Sequence, residues 1–226
     1  MSFRELDIDF HSVNCYGESL CGDSFLREDN RGHILMVASD GLGHGNRANT
    51  LSEMTCEIVM SEWNGVGSLD DLMHSISRRL PICPQRGVAY ATFTLIDYCK
   101  SSGVATIVEY DSPSTLLFRG TEPLTAQWGM ASAKGRDFMV AEVEMKRGDR
   151  IVVVSDGVTQ SGLGRDKTPR GWGTVALSNY VGDIISHRGV DEGLSSGELS
   201  ARVVERALEN DMYYPKDDIS CCVVKF

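Results

Sequence analysis

Two stretches of this chain repeat one pattern: ILMVASDG at residues 34–41 and IVVVSDG at residues 151–157. Each is an apolar run that stops at Asp-Gly, which is typical of a buried strand followed by a sharp turn. The glycine allows the backbone to turn tightly or to approach a ligand closely. The pattern therefore predicts that Asp40 and Asp156 lie at the ends of two buried strands and point out of the core.

The elements around these strands follow from the spacing of apolar residues. Helical spacing predicts helices at about 46–63, 68–80, 175–185 and 198–209, with Ser68 as an N-cap and Pro81 as a stop. Strand-like runs occur at 6–10, 34–39, 91–98, 104–110, 115–118, 138–145, 150–154 and 219–226, of which those from 91 to 154 are expected to form an antiparallel meander. Because strands and helices come in separate blocks, the order favours an α+β layered domain over alternating βαβ units.

Composition limits the classes of protein that the chain can belong to. Its 226 residues, 42% hydrophobic and 24% charged, predict a single domain over residues 1–226. The net charge of −10 without a basic stripe disfavours nucleic acid as a partner. We expect no membrane span and no secretory signal. Seven cysteines without a Cys-x-x-Cys pair suit reduced thiols and a cytoplasmic setting.

Two further acidic positions accompany the strand-end aspartates. Asp217 and Asp218 directly precede the last apolar run, and Asp23 lies in the segment CGDSF at 21–25. If these carboxylates converge, their like charges repel one another or raise one another's pKa. Such a cluster is stable mainly when hard divalent cations occupy it. The sequence therefore predicts a metal enzyme.

The ordered set of motifs resembles a known family of enzymes. These motifs are GDSF at 22–25, DGLGHG at 40–45, RG at 86–87, SDGV at 155–158 and DDIS at 217–220. Together they resemble the metal-dependent serine/threonine protein phosphatases of the 2C class (PPM), in the SpoIIE-like branch and closest to RsbX-like phosphoserine phosphatases. The resemblance implies a four-layer α-β-β-α sandwich, in which helix pairs flank two antiparallel sheets and the metal centre lies at one edge.

The resemblance also implies a role for each acidic position. Asp40 would bridge two Mn²⁺ or Mg²⁺ ions, and the Gly41 carbonyl would bind one of them. Asp156 and Asp217 would hold the other ion, with Asp23 binding directly or through water. Asp218 would orient the ligands, although the roles of Asp217 and Asp218 could be reversed. In this chemistry a water made acidic by both cations attacks phosphorus, so no protein nucleophile is needed.

Three further residues are candidates for contact with the substrate. Arg86 could bind the phosphate by a bidentate contact and is a better candidate than Arg47, although either could be a surface residue. His44 could act as a general acid, but a histidine in a glycine-rich turn is more often simply exposed. A dinucleotide-binding loop at residues 41–45 is disfavoured because the spacing G-x-G-x-G does not place its third glycine at the fingerprint position.

The function that the resemblance implies is hydrolysis of phosphoserine or phosphothreonine on a protein partner, in a partner-switching pathway that controls a sigma factor. One alternative is a catalytically weak phosphoprotein-binding module of the same fold. Another is a phosphomonoesterase for small molecules. The loop at residues 157–169 is expected to form a flap that contributes to substrate specificity, because loops on rigid scaffolds commonly do so.

Overall fold

The computed structural model describes residues 6–30, 32–63, 68–80, 91–166, 168–187 and 193–226. In chain order the elements are β1 (Asp7–Val13), β2 (Asp23–Asn30), β3 (His33–Gly41), α1 (Gly45–Glu62), α2 (Leu69–Arg79), β4 (Ala91–Cys99), β5 (Val104–Tyr110), β6 (Leu116–Arg119), β7 (Glu122–Pro123), β8 (Gly129–Ala133), β9 (Arg136–Glu144), β10 (Arg150–Val154), α3 (Asp156–Thr159), α4 (Thr174–His187), α5 (Ser196–Asn210) and β11 (Ile219–Lys225). They form two compact units. The first comprises Met1–Glu18, Pro113–Thr125 and Met145–Phe226, and the second comprises Ser19–Ser112 and Ala126–Glu144.

The second unit contains a six-stranded antiparallel sheet in the order β2-β3-β4-β5-β9-β8. Its core includes Val37, Val59 and Leu95, all with no exposed surface. Helix α1 packs against β2, β3 and β4, and α2 packs against α1. Ser68 caps α2 by accepting a hydrogen bond from the backbone N–H of Asp70, as its position in the sequence predicts.

The first unit contains a five-stranded antiparallel sheet in the order β1-β11-β10-β6-β7. Strands β10 and β11 are almost wholly buried, and Val152 and Val223 pack in the same apolar cluster as Val203 of α5. Helix α5 begins with a capping box, in which Ser195 and Glu198 satisfy each other's backbone N–H groups. These two strands carry Asp156 and Asp218 next to their ends.

The architecture confirms the predicted α+β class with two antiparallel sheets and accompanying helices. Helices α1, α2, α4 and α5 lie close to their predicted ranges. No helix among the described residues is long and apolar enough to cross a membrane. The prediction of a single domain over residues 1–226 stays a prediction.

Three details differ from the sequence-based expectations. The meander prediction is wrong, because β4, β5 and β9 share one sheet whereas β6 and β10 belong to the other. Strands β2, β7 and β8 were not predicted, because most of their side chains are exposed and they lack the apolar signal of a buried strand. Asp156 begins the short helix α3 instead of a plain turn.

Candidate functional site

Asp40 and Gly41 lie at the end of β3, where the apolar run predicted them. Asp40 is partly buried and Gly41 is buried. The N–H of Gly41 donates to the carbonyl of Gly22 at 3.3 Å. A Cβ atom at position 41 would lie 1.9 Å from the carbonyl oxygen of Ala48 in α1. Glycine is therefore required here, because it lets the start of α1 pack against the end of the strand that carries Asp40.

Asp23 lies directly opposite Asp40 on the neighbouring strand. The two residues are register partners in the antiparallel β2–β3 pair, and only 5% of Asp23 is exposed. Directly opposed residues project from the same face of a sheet with their Cβ atoms about 5 Å apart, and like charges in this arrangement destabilise the pair. A divalent cation held by these oxygens would offset that repulsion.

Asp156 is held in the first unit by the start of α3. Its Oδ2 accepts a hydrogen bond from Nε2 of Gln160 at 2.8 Å. The next residue, Gly157, has no room for a side chain, because a Cβ there would lie 2.1 Å from the carbonyl oxygen of Asp218 and 3.5 Å from Cβ of Asp217. Backbone contact at Gly157 therefore places Asp156 beside the Asp217-Asp218 pair.

Hydrogen bonds of Ser155 connect the segment that carries Asp156 to the segment that carries Asp217 and Asp218. Its backbone N–H donates to the carbonyl of Ser220 at 3.1 Å, and its Oγ accepts from the N–H of Ser220 at 3.0 Å. The same hydroxyl donates to the carbonyl of Asp218 at 3.3 Å. The serine of the other Ser-Asp-Gly copy acts in a similar way, since Ser39 Oγ donates to the carbonyl of Thr92 at 2.8 Å. No role was predicted for these serines, although the repeated Ser-Asp-Gly was a signal in the sequence.

The two adjacent aspartates occupy different environments. Asp218 is buried, and its Oδ1 accepts from the N–H of Cys15 at 2.9 Å. Its Oδ2 is buried and has no hydrogen-bond partner among the described residues. Asp217 is partly exposed, and its Oδ1 accepts from the N–H of Asp218 at 2.9 Å. A buried carboxylate oxygen requires a hydrogen-bond donor or a cation, so Asp218 Oδ2 is suited to bind a cation.

Cys15 lies beside this acidic pair, and the pKa of its thiol is raised. Burial raises the pKa of its thiol, and the carboxylates of Asp218, Asp217 and Glu18 raise it further. The thiol donates to the carbonyl of Lys216 at 3.4 Å. Its position beside the site was not predicted, because the contact joins residues that are far apart in the sequence.

The chemistry of the candidate ligands fits a hard cation. In both units the donors are carboxylate and carbonyl oxygens, which suit Mg²⁺ or Mn²⁺ better than Zn²⁺. Two close backbone contacts, at Gly41 and Gly157, hold the segments that carry these donors. Across the described residues, no group of three or more His, Cys, Asp or Glu side chains forms a cluster that could hold a metal by itself.

The remaining candidates are two exposed residues at the start of α1 and one residue outside the described part of the chain. His44 is the exposed N-cap residue of α1, and its side chain makes no capping hydrogen bond. Arg47 is exposed in the first turn of the same helix. Arg86 lies outside the described residues, so its assignment as a phosphate ligand stays a prediction.

Comparison with known proteins gives consistent similarities across almost the whole chain. The family model described as "Stage II sporulation protein E (SpoIIE)" matches residues 30–226. This range includes Asp40, Asp156, Asp217 and Asp218, whereas Asp23 precedes it. The phosphoserine phosphatase RsbX of Bacillus subtilis (strain 168) is 24% identical over 197 residues, which cover 84% of this chain and 93% of RsbX.

Two solved structures show the same fold. The first is the PP2C phosphatase domain of SpoIIE from Bacillus subtilis with a fragment of its regulatory domain. It has a TM-score of 0.75 at 17% identity, and the match covers 99% of this chain and 64% of that one. The second is RsbX in complex with magnesium, with a TM-score of 0.61 at 16% identity and 98% coverage of both chains. The chain thus spans just under two thirds of the SpoIIE structure and nearly all of the RsbX structure.

Proposed function

Starting from the fact that this chain belongs to the SpoIIE family, we propose that it hydrolyses phosphoserine or phosphothreonine on a protein partner. The predicted SpoIIE-like, RsbX-like affiliation and the predicted enzyme class, a serine/threonine phosphatase, are confirmed. The observation that carries the proposal is the backbone contact of Gly157 with Asp218, which holds Asp156 beside Asp217.

In the proposed site, two Mg²⁺ or Mn²⁺ ions would be held by Asp40, the Gly41 carbonyl, Asp156 and Asp217, with Asp23 and Asp218 in support. When bound, such ions supply a water of lowered pKa and neutralise charge on the phosphoryl oxygens. Asp218 fits a supporting role, because its Oδ1 is already engaged by the N–H of Cys15. Its buried Oδ2 leaves a direct contact with a cation open.

The side chains around Asp156 support a mechanism without a protein nucleophile. The hydroxyl of Ser155 is buried and takes part in two backbone hydrogen bonds, so it is not available to attack phosphorus. The thiol of Cys15 is buried and donates to the carbonyl of Lys216, so it does not face a substrate either. In this scheme the residues hold and orient the ligands, and an activated water is the nucleophile.

A protein substrate in a partner-switching, sigma-factor-controlling pathway is the physiological role that we propose. It is supported by the similarity to RsbX, which is named a phosphoserine phosphatase. A cytoplasmic setting is supported by the six described cysteines, all of which are free thiols. The alternatives of a weak binding module and a small-molecule phosphatase make different predictions about turnover.

The proposal is tested by hydrolysis of synthetic phosphopeptides that carry phosphoserine, phosphothreonine or phosphotyrosine, with Mn²⁺, Mg²⁺ or EDTA. We expect metal-dependent release of phosphate from the phosphoserine and phosphothreonine peptides and little from phosphotyrosine. Binding of phosphopeptides without turnover would favour the binding module. Turnover of small phosphate esters alone would favour a small-molecule phosphatase.

A further inference from the structure

An exposed apolar surface lies beside the proposed metal ligands of the first unit. We call it the tyrosine surface and define it as Tyr16, Leu163, Met212, Tyr213 and Tyr214. These side chains are 67%, 44%, 63%, 57% and 60% exposed. The rings of Tyr16 and Tyr214 meet edge to face with their centroids 4.9 Å apart. Exposed apolar groups on neighbouring segments commonly mark an interaction site, and tyrosine is enriched at such sites.

The backbone holds the tyrosine surface at an energetic cost. Met212 and Tyr213 have φ values of 55° and 63°, and both are therefore in the left-handed region that favours glycine. The turn is fixed nonetheless, because the N–H of Met212 donates to Glu209 and the N–H of Tyr213 donates to Leu208. Local strain that displays large side chains to solvent is a feature of functional sites.

Hydrogen bonds connect the tyrosine surface to the segments that carry Asp156 and Asp217. Asp217 follows Tyr214 by three residues, and the N–H of Tyr16 donates to the carbonyl of Pro215 at 2.9 Å. The loop after Asp156 is fastened to the same turn, since the N–H of Gly162 donates to Oδ1 of Asp211 at 2.8 Å. The loop that follows Asp156 and the strained turn are thus hydrogen-bonded to each other, whereas the flap at residues 157–169 stays a prediction.

Two cations add positive charge to this surface. Nη2 of Arg165 donates to the carbonyl of Asp211 at 2.7 Å, and Nζ of Lys216 donates to the carbonyl of Leu163 at 3.3 Å. Neither cation forms a salt bridge with a carboxylate in the described part of the chain. Nε of Arg165 is buried and has no hydrogen-bond partner among the described residues. Tyr213, by contrast, donates its hydroxyl to Oε1 of Glu205 at 2.8 Å. The complementary ligand is therefore apolar, with an acidic group where it meets Arg165 and Lys216.

We propose that the tyrosine surface, together with Arg165 and Lys216, binds a segment of the phosphoprotein substrate that carries apolar and acidic residues next to the phosphorylated side chain. The proposal rests on the proposed phosphatase function, because the substrate has to approach Asp156 and Asp217. It assigns substrate selection to this surface and leaves the chemistry to the metal ligands.

The test compares the wild type with a Tyr16→Ser/Tyr214→Ser double variant. The probes are two phosphoserine peptides, one with Leu and Glu around the phosphoserine and one with Gly and Ser, together with p-nitrophenyl phosphate. We expect kcat/KM for the Leu/Glu peptide to fall about tenfold through KM, because removal of well-placed aromatic contacts commonly costs this much. The values for the Gly/Ser peptide and p-nitrophenyl phosphate should change less than about twofold, since the Gly/Ser peptide has no apolar or acidic side chain next to its phosphoserine and p-nitrophenyl phosphate has no flanking residues.

A matched control is Val175→Ser, because Val175 in α4 is 78% exposed and lies outside the tyrosine surface. This variant should leave all three probes unchanged. Equal losses on all three probes in the double variant, or no loss on the Leu/Glu peptide, would overturn the proposal.

A binding measurement separates failure of docking from failure of the phosphatase function. The probe is a fluorescent, non-phosphorylated Leu/Glu peptide, and binding is followed by anisotropy. If the wild type binds it and the double variant does so about tenfold more weakly, docking stands even when no turnover is found. If turnover is present and the tyrosine variants bind like the wild type, docking is refuted and the phosphatase function is not.

Met212→Gly is a second test, because it separates the loss of a binding contact from a loss of stability. Glycine accepts the left-handed backbone, so the melting temperature should stay at or above that of the wild type. The loss of an exposed side chain should still weaken binding of the Leu/Glu peptide severalfold. Binding equal to that of the wild type would remove Met212 from the docking surface and count against the proposal.

Discussion

Replacement of Gly157 by alanine tests the arrangement of the site most directly at the level of the backbone. A Cβ at this position would lie 2.1 Å from the carbonyl oxygen of Asp218, whereas an ordinary contact is at least 3.4 Å. The two backbones would therefore have to separate by about 1.3 Å (3.4 − 2.1). Because φ at Gly157 is not in the left-handed region, the methyl group itself is the cause of the change.

Gly157→Ala should lower the stability moderately and the activity strongly. Insertion of one methyl group into a closely packed site costs about 1–3 kcal/mol of unfolding free energy. A displacement of about 1 Å between Asp156 and Asp217 should lower kcat/KM by about a hundredfold. We expect the purified variant to remain folded but to hydrolyse p-nitrophenyl phosphate very slowly with Mn²⁺.

The matched control is Gly182→Ala in α4, where the nearest atoms to the new Cβ are 3.7 Å away. This change should stabilise the protein by about 0.5–1 kcal/mol, because alanine is a better helix former than glycine. Its activity should equal that of the wild type. If Gly157→Ala retained wild-type activity and stability, the proposed contact between Gly157 and Asp218 would be refuted.

Two further predictions concern ion pairs away from the site. Protonated His33 donates from Nδ1 to Oδ1 of Asp97 (2.6 Å), and this hydrogen bond raises the pKa of the histidine. Its contribution to stability is therefore full below pH 6.5 and is lost as the pH rises through the raised pKa. Urea unfolding of the wild type and His33→Gln should therefore differ more at pH 5.5 than at pH 8.5, and an equal difference would contradict this sign. Asp149 is 1% exposed and accepts from Arg119 and from the N–H of Lys146, so Asp149→Ala should lower the unfolding free energy by about 2–3 kcal/mol, and a loss below about 0.5 kcal/mol would contradict it.

The sequence predicted those parts of the fold that have a strong local signal. Strands β3 and β10 are continuous buried runs, and Ser68 caps α2 by a contact within one turn. Strand β2 has no comparable signal, since it is an edge strand with polar, exposed side chains. The division of the strands between two sheets could not be predicted either, because it depends on pairing between distant segments. Strand β1, for example, pairs with β11 at the opposite end of the chain.

The candidate site shows the same division between local and distant information. Asp40 and Asp156 could be identified because each ends an apolar run with the same three residues. The hydrogen bond from Cys15 to Asp218 joins residues 203 positions apart, and no periodicity reports such a contact. Likewise, the exposed tyrosines near Asp217 become a surface only when the left-handed turn at Met212 is known.

These carboxylates are proposed to hold the metal ions on which phosphatase activity depends. The most direct measurement is hydrolysis of p-nitrophenyl phosphate against Mn²⁺ concentration for the wild type, Asp40→Asn, Asp156→Asn and the control Asp183→Asn, whose residue is exposed in α4. We predict that the wild type and the control require Mn²⁺ and that the other two variants lose more than about a hundredfold in activity. Metal-independent hydrolysis by the wild type, or full activity of Asp40→Asn and Asp156→Asn, would contradict the claim.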